Sequence, residues 1–207
     1  MSTVKQDELA KLMAARLNHD YVSPLTAISN GLEIYKMDAS QREDAIELIQ
    51  ESLHNALNEL QFNRVAFGSF GVDEQLPLSD LGSRIRRIFD SETFMLDMSK
   101  LTEPVLKSDA KLWFLAILCL RNTFISMTSI LMDKDSRGWQ ITATGKGINN
   151  RDGSPRAENE WLQIAQTTPN SVQFPLLFMH ADAMNYDLIF KRIDDEKMVL
   201  NFWKKPE

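Results

Sequence analysis

Ten residues, Arg16-Leu17-Asn18-His19-Asp20-Tyr21-Val22-Ser23-Pro24-Leu25, carry the chemistry that this sequence most plainly offers. On a helix His19 lies roughly opposite the apolar arc of Leu17, Tyr21, Leu25 and Ile28, so its imidazole faces outward. Arg16 comes three residues before it and Ser23 four after, which places both on its face. Thr26 and Asn30 extend that polar face along the helix. A neutral imidazole is abundant at neutral pH, and its free ring nitrogen is a nucleophile suited to phosphoryl relay. Asp20 is placed to hydrogen-bond one ring nitrogen and leave the other to attack. Adjacent residues diverge on an ideal helix, so this role depends on rotamers. Arg16 offers a guanidinium for phosphoryl oxygens or an acidic partner surface. The plain alternative is a solvated surface histidine, and a His-Asp pair alone does not decide between them.

Pro24 sits inside the helical pattern. It cannot donate to the Asp20 carbonyl, and an internal proline costs about 3 kcal/mol relative to alanine. A helix that tolerates this one turn from an outward histidine points to a functional reason.

The elements that must hold these residues can be read from spacing. Leu9, Leu12, Met13, Leu17, Tyr21, Leu25, Ile28, Leu32 and Tyr35 predict a helix over 6–35. Ser40 and Glu43 form a capping-box pattern, and Ala45, Leu48, Ile49, Leu53, Ala56, Leu57 and Leu60 predict a second helix over 41–67. The short connection makes them an antiparallel hairpin. Two such helices lack a core of their own. A second copy would complete a four-helix bundle about a two-fold axis; packing on the rest of the chain is the alternative.

Gly68-Ser69-Phe70-Gly71 and Pro77 suggest a hinge, so the domains are expected at 1–70 and 71–207. The second part predicts helices over 80–90, 108–132 (with Cys119 in its core), 159–165 and 172–184, the last interrupted near Pro175. Strands are expected over 94–98, 139–144, 186–192 and 198–203. The fold class is therefore α+β, a helical hairpin followed by an α/β sandwich with helices on one face of a sheet.

Composition narrows the functions. The formal net charge is −6 across 207 residues, and Lys and Arg are scattered apart from Arg84, Arg86, Arg87, Lys204 and Lys205, so no nucleic-acid partner is expected. The longest apolar stretch, 112–120, is too short to cross a membrane. Cys119 is the only cysteine, which forbids an internal disulfide and fits a cytoplasmic protein. Eight glycines leave few for loops around a nucleotide. His19, His54 and His180 lack metal-ligand spacing, so no metal is expected on this chain.

His19-Asp20-x-x-Ser23-Pro24-Leu25 resembles the H-box of sensor histidine kinases. The longer run from Ala15 to Pro24, with Ala27-Ile28-Ser29-Asn30-Gly31-Leu32-Glu33, is similar to the ChpT-type histidine phosphotransferases of alphaproteobacteria. That resemblance implies a homodimer and a catalytic pair, His19 and Asp20. It also implies a relay from the receiver domain of a hybrid histidine kinase to that of a response regulator. Arg16, Asn18, Ser23, Asn30 and Glu33 are the candidate docking residues by position. No cofactor is expected on this chain; Mg²⁺ would sit on the partner receiver. The resemblance further implies a kinase-like second domain that has lost ATP. The nearest match to the kinase Asp-x-Gly-x-Gly box is Ala143-Thr144-Gly145-Lys146-Gly147, with alanine at the adenine-reading position. Asn122 echoes the kinase magnesium asparagine, and the region Asn149–Pro155 lacks a glycine-rich lid. The other readings are an ATP-dependent sensor histidine kinase or phosphatase, and a non-catalytic dimeric adaptor.

Overall fold

The computed structural model describes residues 3–69, 74–89, 91, 93–148 and 167–206. Two compact units divide the chain, Met1–Phe62 and Asn63–Glu207. The first unit is the hairpin as far as Phe62. Helix α1 spans Thr3–Met37 and helix α2 spans Arg42–Phe67, joined by a 3₁₀ turn at Ala39–Gln41. Helix α1 continues through Pro24. The helices run antiparallel: the Arg42 guanidinium donates to Tyr35 O and lies over its ring, and Gly31 faces Ala45 and Ile49. That approach needs glycine. A Cβ at 31 would sit 2.7 Å from Ile49 Cγ1, below any normal contact.

The cap of the turn differs from the expected one. Asp38, not Ser40, is the N-cap residue. Its carboxylate accepts from Ser40 N at 2.8 Å, from Ser40 Oγ at 2.6 Å and from Gln41 Nε2 at 3.0 Å. A carboxylate outcompetes a hydroxyl as acceptor for exposed helix-start N–H groups. These bonds, chiefly those from Ser40, hold Asp38 below the ordinary carboxylate range.

The second unit places helices on one face of a sheet. Its elements are β1 (Gln75–Leu76), α3 (Leu78–Arg87), β2 (Met95–Asp97), β3 (Val105–Leu106), α4 (Lys107–Thr123), β4 (Phe124–Asp135), β5 (Gly138–Ile148), α5 (Gln173–Ala183), β6 (Tyr186–Arg192) and β7 (Lys197–Lys204). The five-stranded sheet has the order β2-β4-β5-β7-β6, with β2 parallel to β4 and the remaining pairs antiparallel. Strands β1 and β3 form a separate antiparallel pair. Ile130, Met132, Trp139, Ile141, Ala143, Met198, Leu200 and Phe202 are buried. Ladder register puts them on one face: Ala143 lies between Ile130 and Met198. Helix α4 packs on β4 and β5, and α5 on α4 and β6. On the opposite face Gln140 Nε2 donates to Asn201 Oδ1 at 2.8 Å.

Two expectations are corrected. The predicted helix over 108–132 ends at Thr123, and Phe124–Asp135 is a strand. Thr123, Ile125, Thr128 and Ile130 are β-branched and favour the pleated backbone, while Thr123 Oγ1 turns back to Cys119 O at 2.8 Å. Cys119 is nevertheless in the core of α4. Pro175 does not interrupt α5; it falls in the first turn, where a missing N–H costs nothing. Residues 70–73, at the expected hinge, and the helix expected over 159–165 lie outside the described residues.

Candidate functional site

The site is on α1, and its geometry centres on one carboxylate. The His19 side chain is 76% exposed, Asp20 24% and Arg16 14%. Asp20 divides its two oxygens between neighbours. Oδ2 lies 3.4 Å from Arg16 Nε, and Oδ1 lies 3.6 Å from His19 Nδ1. The latter separation is longer than a hydrogen bond. Adjacent residues diverge on an ideal helix, yet His19 and Asp20 approach each other here, with the Nδ1 edge of the ring turned to the carboxylate.

Arg16, His19 and Asp20 are thus brought together. Asn18, Ser23, Asn30 and Glu33 are all exposed on α1; Asn18 and Ser23 lie within about one turn of His19, whereas Asn30 and Glu33 lie about 16 and 21 Å along the axis at 1.5 Å per residue. They belong to an extended polar stripe. Val22, Leu25, Leu32 and Tyr35 on α1 and Ile46, Leu53, Leu57 and Leu60 on α2 are also exposed in the single chain.

In the second unit the glycine pair is part of the sheet. Gly145 and Lys146 pair with β4, and Gly145 N donates to Glu196 O at 2.9 Å. A Cβ at 145 would stand 2.5 Å from Ser126 O. Ala143, which opens the Ala143-Thr144-Gly145-Lys146-Gly147 run, has no exposure. Asn122 Nδ2 donates to Asn170 O at 2.9 Å, so its amide is engaged by backbone. Residues 149–155 lie outside the described residues. Among the described residues no cluster of His, Cys, Asp or Glu could hold a metal, and no helix is long and apolar enough to cross a membrane.

A cavity of about 630 Å³ opens at the other end of α4, lined by Asp109, Trp139, Tyr186, Lys134, Arg137 and Lys204 among others. Sequence reasoning missed this group, whose members are far apart in the chain. Tyr186 donates to Asp109 Oδ1 at 3.2 Å. Burial raises Asp109 above the usual carboxylate range, and burial with the Asp109 charge pushes Tyr186 up to about 12. The cations are largely engaged: Arg137 pairs with Asp135 at 2.9 Å and covers the Trp203 ring, and Lys134 covers Trp139. A structural role follows, with a pH signature. A carboxyl raised by folding binds its proton more tightly in the native state, so stability declines as pH rises from the ordinary 3.8 through the folded value. Asp109→Asn is expected to flatten the decline seen in urea titrations between the two values. An unchanged pH profile would show that Asp109 is not the group responsible.

Comparison with known proteins gives the family of the chain. Residues 78–196 match the family described as "Histidine phosphotransferase C-terminal domain". The Brucella abortus (strain 2308) protein phosphotransferase ChpT is 44% identical over 69 residues, a stretch covering 33% of this chain and 32% of that protein. A solved structure described as a bacterial phosphotransferase superposes over 97% of this chain and 98% of its own, with a TM-score of 0.72 at 23% identity, which is a likeness of fold. The matched domain accounts for more than half of the sequence, and the chain belongs to the histidine phosphotransferase family that this domain defines.

Proposed function

We propose that the chain is a phosphorelay histidine phosphotransferase that carries the phosphoryl group on His19. The observation that carries this reading is an imidazole 76% exposed on a rigid helix, with a carboxylate at its Nδ1 edge. The His19 lone pair attacks the phosphorus of a receiver phosphoaspartate. The N–P bond forms as the acyl-phosphate P–O bond breaks, and the donor carboxylate leaves. In the second half a downstream receiver's aspartate attacks the same phosphorus, and the neutral imidazole departs. Mg²⁺ on the receiver would offset charge on the transferring oxygens; this chain supplies the positioned nucleophile. Asp20 favours the tautomer protonated at Nδ1 and leaves Nε2 to react. Asn18, Ser23, Asn30 and Glu33 supply a polar docking stripe suited to a transient contact.

The acting form is a homodimer in the cytoplasm. The exposed apolar residues of α1 and α2 favour a second hairpin as their cover, because a monomer leaves that surface in water. The protein is an intermediate in transfer and takes no phosphate from ATP: Ala143 has no acceptor for an adenine amino group and is sealed in the sheet.

The test mixes the purified chain with a radiolabelled phospho-receiver from a hybrid kinase, alongside ATP alone. Acid-labile label arriving from the receiver and none from ATP supports the proposal. Labelling by ATP alone would make the chain a kinase. A dimer that takes label from no receiver would be an adaptor.

A further inference from the structure

We infer that Arg16 is a positioning residue, acting through Asp20 on the tautomer of His19, rather than a group that docks partners or binds phosphate. The inference rests on the proposed role of His19 and adds the residue that prepares it.

Three observations carry it. First, Arg16 does not behave as a docking side chain. Its side chain is only 14% exposed, against 76% for His19, and its Nε has essentially no contact with solvent. A partner surface would find little of it to bind. Second, its guanidinium lies against Asp20, and the carboxylate is shared: Oδ2 faces Arg16 Nε at 3.4 Å while Oδ1 faces His19 Nδ1 at 3.6 Å. A nucleophile, a group that orients it and a third group that orients the second is the arrangement by which histidines are prepared for reaction. Third, the pair is poorly explained as a helix stabiliser. The acid lies four residues after the base, the weaker direction on a helix, and withdrawing a guanidinium from water is costly.

The physical consequence is twofold. A neutral imidazole has one N–H and one lone pair, and the lone pair must be on the nitrogen that attacks. With Oδ2 drawn to the Arg16 guanidinium at 3.4 Å, Oδ1 faces Nδ1 and favours a proton there. The positive charge also offsets Asp20, so an anionic phosphoryl group approaches His19 beside a compensated carboxylate. Without Arg16 the carboxylate is free to rotate and its charge stands uncovered.

The experiment measures the His19 tautomer by long-range ¹H–¹⁵N NMR on the whole unphosphorylated protein, with His19→Gln identifying the signal. Arg16→Gln and Asp20→Asn are both expected to lower the Nδ1–H share, and Arg16→Lys to restore most of it. In transfer assays Arg16→Gln is expected to lower kcat by about 10-fold, the scale for a group that orients a reacting one, with KM for the receiver unchanged. A raised KM with kcat intact would overturn the inference in favour of docking. So would an Arg16→Gln tautomer identical to wild type while Asp20→Asn changes it. The tautomer is read without any partner, so a wild type that never transfers phosphate sinks the relay reading and leaves this result standing on its own.

Discussion

His19→Ala is expected to accept no measurable phosphate from any receiver that labels the wild type, a fall of at least about 1,000-fold. No other side chain shares the imidazole's position. His54 is on α2 and His180 on α5, and the His180 Nε2 is 3.1 Å from Ser108 O, so neither can take its place. The fold should not notice the change. A side chain exposed over three quarters of its surface contributes little to packing, and such substitutions move stability by about 0.5 kcal/mol or less. Matching circular dichroism spectra and melting curves, beside the lost label, would separate chemistry from folding. Residual transfer at a tenth of the wild-type rate would mean that the phosphoryl group is carried elsewhere.

Trp113→Ala is expected to have the largest effect on stability. Trp113 has no exposure and meets Trp139 edge to face, with ring centroids 4.8 Å apart and planes at 80°. It thereby fastens α4 to β5 at the centre of the second unit. Removing a buried indole costs about 3–5 kcal/mol from lost contacts and the cavity left behind. At about 2–4 °C per kcal/mol for chains of this size, the midpoint should fall by roughly 6–20 °C. Trp113→Phe should cost less, and for a specific reason. The buried Trp113 Nε1 has no hydrogen-bond partner among the described residues, so phenylalanine keeps much of the ring and removes an unsatisfied donor. A Phe variant as unstable as the Ala variant would show that Nε1 is engaged after all.

The hairpin was legible because its apolar residues keep a helical period on one side, and His19 stood out because it lies opposite that side, one turn from an internal proline. The α4–β4 junction was not legible for the opposite reason. Leu112 to Leu120 are all buried, so the helix is apolar all round and has no period to end. The strand that follows begins with Phe124 and Ile125, equally apolar, and its pairing with β2 and β5 is not local to the sequence. At the site, sequence supplied the residue types but not their allegiance. Arg16 and Ser23 both fall on the histidine's face by spacing; side-chain burial is what separates a withdrawn guanidinium from an exposed hydroxyl. The Asp109–Tyr186 pair, 77 residues apart, has no local signature at all.

The closed sheet around Ala143 also limits what this position can become. A single codon change would place an aspartate there. The carboxylate would enter a position with no exposure, between Ile130 and Met198, and an unpaired buried charge is penalised heavily or forced to stay protonated. The neighbouring strands would have to part to admit it, so the packing on either side confines position 143 to small, uncharged side chains.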